Sequence, residues 1–85
     1  MDEYEIARRA RTLPERFAAR VTAETLESLQ LMEAGGEHGL LTEELAAALA
    51  AQRTPVSAEE KQELRELLVA MDLPTTDADR LEVRG

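Results

Sequence analysis

The chain has 85 residues, with 18 acidic and 10 basic side chains, a formal net charge of −8, one Phe, one Tyr, no Trp and no Cys. This composition excludes disulfides, thiolate metal sites and a cysteine nucleophile, and its sign repels nucleic acid and anionic membranes while attracting basic proteins. No apolar run approaches the roughly 20 residues that span a bilayer, and the acidic start Met1-Asp2-Glu3 lacks the basic-then-apolar order of an export signal, so a cytoplasmic protein is expected.

Ala, Leu, Glu and Arg dominate, and all four favour helices. No segment alternates polar and apolar residues as a half-buried strand does. The expected fold is all-α: a small bundle of about four to five short helices with short connections. Residues 1–74 form one helical domain, followed by a frayed polar tail over 75–85. The first helix runs from about Asp2 to Arg11, with acids at its start and arginines at its end, which suits the helix dipole. Leu13-Pro14 interrupts it. Thr12 and Glu15 have capping-box spacing, so a second helix can start there with Pro14 in its first turn. The stripe Ile6, Ala10, Leu13, Phe17 and Val21 equally allows one long kinked helix.

Thr22 caps a helix over about Ala23 to Ala34, buried through Leu26, Leu29 and Met32. Gly35-Gly36 ends it, and the loop continues to Gly39. Thr42 caps the next helix, about Glu43 to Gln52, with Leu41, Leu45, Ala48 and Leu49 inward. Arg53-Thr54-Pro55 is a turn. Ser57 and Glu60 form a second capping box, opening a helix over Ala58 to Met71 that buries Leu64, Leu67, Leu68 and Met71. Leu73-Pro74 closes it. In the tail only Leu81 and Val83 offer docking side chains. The expected core is Ile6, Phe17, Leu26, Leu29, Leu45, Leu49, Leu64, Leu67, Leu68 and Met71.

No catalytic, metal or cofactor-binding residue is expected. His38, the only histidine, is read as an exposed loop residue, because a metal needs further ligands of matching geometry. Glu43-Glu44 and Glu59-Glu60 are explained by helix starts. Ser28 and Ser57 lack a histidine base at readable spacing. Asp77, Asp79 and Glu82 lack the glycine and ligand order of a calcium loop. The helices flanking Arg53-Thr54-Pro55 imitate a helix-turn-helix, but Glu59, Glu60, Glu63 and Glu66 would then face phosphates. The basic cluster Arg8, Arg9, Arg11, Arg16 and Arg20 is read as a solvated helix face, with packing against the acidic middle of the molecule as the alternative.

Between Arg20 and Arg53 there is no lysine or arginine, while Glu24, Glu27, Glu33, Glu37, Glu43 and Glu44 place a formal charge of −6 there. A dedicated acidic interface and a plain solubilising surface both account for it. Leu31 lies on the wheel with Glu24 and Glu27, opposite Leu26 and Leu29. It is either an interface anchor or a second buried contact, for instance against the N-terminal helix. Glu33 lies toward the apolar side, where it reaches the helix end or a polar neighbour.

Four short motifs carry a resemblance: Ala34-Gly35-Gly36-Glu37, Leu40-Leu41-Thr42-Glu43-Glu44-Leu45, Pro55-Val56-Ser57 and Met71-Asp72-Leu73. From Leu26 to Pro74 the chain resembles the MafI family of immunity proteins, found beside polymorphic toxins in actinobacteria. It differs in an extra glycine in the turn, and in Ala47, Ala50 and Ala51 where the family carries acids. The resemblance implies an intracellular, non-catalytic protein that binds and blocks a toxin domain. The partner is then a basic protein, with Glu24, Glu27, Leu31, Glu37, Glu43 and Glu44 as the expected contacts. The competing expectation is a regulatory or scaffold module that self-associates as a homo-oligomer.

Overall fold

The structure is a computed structural model and describes residues 1–84. Its helices are α1 (Glu3–Arg11), α2 (Leu13–Phe17), α3 (Ala23–Ala34), α4 (His38–Ala51), α5 (Ala58–Ala70) and α6 (Thr76–Asp79), with a 3-10 turn over Ala18–Arg20 between α2 and α3. The all-α class stands: among the described residues the only β contact is an isolated parallel bridge between Val56 and Val83. No helix among them is long and apolar enough to cross a membrane.

Asp2 caps α1 by accepting the Glu5 N–H at 2.8 Å. Between α1 and α2 the backbone stays helical at Thr12 (φ −81, ψ −15). The expected capping box there does not form. The Thr12 hydroxyl instead donates to the Arg9 carbonyl at 2.8 Å, as threonines inside helices do. The segment is thus a helix broken at Pro14, whose missing N–H interrupts the ladder. Val21 then turns extended (φ −128, ψ 164), and Thr22 caps α3 by accepting the Thr25 N–H at 3.1 Å.

Gly35-Gly36 ends α3 as expected. Gly36 has φ +70, its N–H donates to Glu33 O at 3.0 Å, and the Glu37 N–H donates to Met32 O at 2.9 Å. That pair of bonds is a Schellman motif, which needs a left-handed residue where Gly36 stands. The same bonding closes α4 at Arg53 (φ 53) and α5 at Asp72 (φ 58), with Thr54 N–H to Leu49 O at 3.0 Å and Leu73 N–H to Leu68 O at 2.8 Å.

Helix α4 corrects two expectations. It starts at His38, not Glu43, and Thr42 is fully buried inside it, donating to the His38 carbonyl at 2.8 Å. Thr42 therefore satisfies its hydroxyl one turn back instead of capping a helix start. His38 is half-buried at the first helical position, not exposed in a loop, and its Nδ1 has no hydrogen-bond partner. Ser57 behaves as expected: Glu60 N–H donates to its Oγ at 3.0 Å, and Ser57 N–H donates to Glu60 Oε1 at 2.9 Å.

Helix α4 lies at the centre and packs against α1, α3, α5 and α6. Leu41, Leu45, Ala46 and Leu49 bury its inner face against Ala10, Leu13, Phe17, Leu29, Leu64, Leu67 and Leu68. Ile6, Leu26 and Met71, expected in the core, are only partly buried at its edge. Ala78 and Leu81 join the core with Val56, so the frayed tail is also a correction. The tail is held by backbone bonds from Val56 N–H to Glu82 O and from Arg84 N–H to Val56 O, both 2.9 Å. Lys61 Nζ donates to the Asp79 and Leu81 carbonyls at 3.1 and 2.9 Å. Apolar burial of Leu81 together with these bonds offsets the ordering entropy that polar tails ordinarily escape.

Candidate functional site

The site is defined by where the arginines go. Arg9 pairs with Glu66 at 3.4 Å, Arg16 with Glu63 at 2.7 Å, and Arg20 grips both oxygens of Glu60 at 2.8 and 2.7 Å. The pairs run in opposite order along the two segments, so they lace the α1–α2 side antiparallel to α5. The guanidinium of Arg20 also stacks 4.3 Å from the centroid of buried Phe17, which fixes its direction. The Arg20 hydrogen bonds, followed by the Ser57 N–H, hold the Glu60 carboxyl at about 2, below its ordinary 4.5. The basic cluster is therefore split: Arg8, Arg11 and Arg16 are exposed, as on a solvated face, while Arg9, Arg16 and Arg20 pair with α5 and not with the acidic middle. Only Arg11 reaches that middle, at 3.9 Å from Glu33, which supplies the polar neighbour expected for Glu33.

The consequence falls on α3 and α4. Among the described residues, Glu24, Glu27, Glu37, Glu43 and Glu44 make no ion pair. Glu24, Glu27 and Leu31 share the outer face of α3 at i, i+3 and i+7 spacing, and all three are exposed. Leu31 is 69% exposed, so the buried-contact reading of it falls away. Glu24 and Glu44 line one groove of about 770 Å³ between the start of α3 and the middle of α4. Val21, Ala47 and Ala48 supply its apolar lining, with Thr22, Thr25, Gln52 and Thr54 around them. Glu37 is exposed at the entry to α4, where its side chain makes no capping bond.

Glu43 departs from this set. It is half-buried and lies in a separate cleft with Ala46, Leu68, Pro74 and Thr76, beside α6. One position before Glu44 means about 100° around the helix, enough to turn it to another face. Leu40 was missed. It is 52% exposed and stands one turn before Glu44 on the outer side of α4. The signal was present in Leu40-Leu41: once the helix starts at His38, an inward Leu41 forces its neighbour outward.

Among the described residues, no three His, Asp or Glu side chains gather as a metal-binding group. Among the described residues the arrangement offers a face of carboxylates without ion pairs and two exposed leucines, on the α3–α4 helical pair. No family model, no curated protein and no solved structure matches this chain.

Proposed function

We propose that this is an immunity-type protein of the MafI kind: a non-catalytic, cytoplasmic binder that neutralises a basic protein partner, a cognate toxin domain. The observation that carries the reading is the segregation of charge. Arg9, Arg16 and Arg20 reach across to carboxylates of α5, and among the described residues Glu24, Glu27, Glu37 and Glu44 make no ion pair. A one-sign field on a rigid face speeds encounter with a basic partner and penalises wrong ones. Blocking a toxin in this way needs only a tight, well-placed surface.

Self-association through the same face is the weaker reading. A two-fold contact sets each patch against its own copy, and like charges so opposed are destabilising.

The test is co-expression with a candidate toxin domain taken from a neighbouring reading frame. The wild type should restore growth. A variant with Glu24, Glu27, Glu37 and Glu44 all changed to Lys should stay folded but bind more slowly, and its association should lose most of its salt dependence. Full-strength, salt-insensitive protection by that variant would remove the reading.

A further inference from the structure

The outer face of the α3–α4 pair combines three features. Leu31 and Leu40 are 69% and 52% exposed. Leu31 stands one turn before the Gly35–Glu37 link and Leu40 just after it, so both lie at the closed end of the same hairpin. Unpaired carboxylates flank them: Glu27 and Glu24 back along α3, Glu37 in the link, and Glu44 one turn on along α4. Beyond them the groove opens between Glu24 and Glu44 over Val21, Ala47 and Ala48.

We infer that this face is the docking site for a cationic amphipathic segment of a protein partner, with apolar side chains on Leu31 and Leu40 and a lysine or arginine laid into the Glu24–Glu44 groove. The inference rests on the functional reading above and names the partner's chemistry. Charge complementarity selects the occupant. An acidic or neutral segment would desolvate these carboxylates without pairing them, and a second copy would bring the same carboxylates face to face. A long cationic side chain suits the groove, because its aliphatic stem can lie along Val21, Ala47 and Ala48 while its head stays near the two carboxylates. Arg20 lines the same groove but does not compete, since both its terminal nitrogens are held by Glu60.

The probe is a synthetic helical peptide with Leu on one face and Lys on the other, titrated into isotope-labelled full-length protein. Controls are the same peptide with every Lys replaced by Glu, and a peptide of identical composition with Leu and Lys scrambled out of register. The amphipathic basic peptide should shift the amide signals of Glu24, Leu31, Leu40 and Glu44, and both controls should bind at least about tenfold more weakly. The Leu31→Ser/Leu40→Ser double variant should lose about tenfold or more in affinity, mainly through faster dissociation, with its melting temperature retained because both side chains are already in water. Glu24→Lys/Glu44→Lys should slow association and flatten the salt dependence. Val69→Ser, at an exposed position on α5, should bind like the wild type. Wild-type affinity in the double leucine variant, equal binding of the scrambled peptide, or signal shifts confined to α1 and α5 would each overturn the docking site. A concentration-dependent dimer abolished by Leu31→Ser would overturn it in favour of a second copy. Toxin neutralisation that survives loss of the leucines but not charge reversal removes this inference and leaves the functional reading. Peptide docking here without any toxin neutralisation does the opposite.

Discussion

Glu60 joins three parts of the molecule through one carboxylate, and Glu60→Ala tests whether the arginines are truly committed. Its Oε1 accepts from the Ser57 N–H at 2.9 Å and from Arg20 at 2.8 Å, and its Oε2 accepts from Arg20 at 2.7 Å. Losing its half of the capping box removes about 0.5–1 kcal/mol. The paired side chains are 33% and 19% exposed, so a bidentate charge-assisted pair there contributes about 1–2 kcal/mol once solvent screening is allowed for. Urea denaturation of Glu60→Ala should therefore show a loss of about 1.5–3 kcal/mol with an unchanged slope. Arg20→Ala should lose a similar amount, because it also gives up the contact over Phe17. The double variant should recover a coupling of about 1 kcal/mol. Glu60→Gln keeps an oxygen for the Ser57 N–H and gives up the charge, so it should fall between. A loss under about 0.5 kcal/mol for Glu60→Ala, within the range of an ordinary surface change, would mean that Arg20 is free in solution. The arginines would then be available to screen the α3–α4 carboxylates, and the case for a bare acidic face would fail.

Acid stability should follow the same carboxylate. Its folded value of about 2 lies below the ordinary 4.5, so its contribution is complete above about pH 4.5 and disappears as the pH falls toward 2. Urea midpoints should decline through that window less steeply in Glu60→Gln than in the wild type, and parallel declines would refute the assignment. Leu81→Ala, at a position 4% exposed, should destabilise by about 2–4 kcal/mol. A change below half a kcal/mol would show a detached tail. Arg53→Gly should raise stability by about 0.5–1 kcal/mol, since Arg53 sits at φ 53 and makes no ion pair among the described residues. An unchanged or lower melting temperature would argue against a left-handed cap there.

Local signals were legible where a side chain acts within one turn of itself. Thr22 and Ser57 cap the helices they precede, and Gly36 adopts the left-handed turn that ends α3. The inward leucines of α4 and α5 followed from helical spacing, because period alone decides which residues share a face, whereas Ala48 and Met71, expected inward, are half-buried and Ala46 is buried instead. Thr12 and Thr42 show the limit of that reasoning. A threonine satisfies its hydroxyl equally well as a cap or by bonding a carbonyl one turn back, and for Thr42 burial in the centre of the bundle goes with the second.

What only the tertiary structure decided is which charges meet. Arg20 and Glu60 are 40 residues apart in the chain, and no local rule pairs them. Packing of α5 against the N-terminal segment makes the pair, and by the same act engages Arg20 with Glu60 instead of with the carboxylates of α3 and α4. The exposure of Leu31 and Leu40, the turning of Glu43 toward α6, and the docking of Leu81 beside Val56 are likewise settled by the position of a second element. Composition and spacing determined that this chain is helical and that its middle is acidic. Whether those acids are neutralised at home or left facing outward depends on Coulomb interactions between segments brought together by folding, and these act through distance in space and carry no trace in sequence separation.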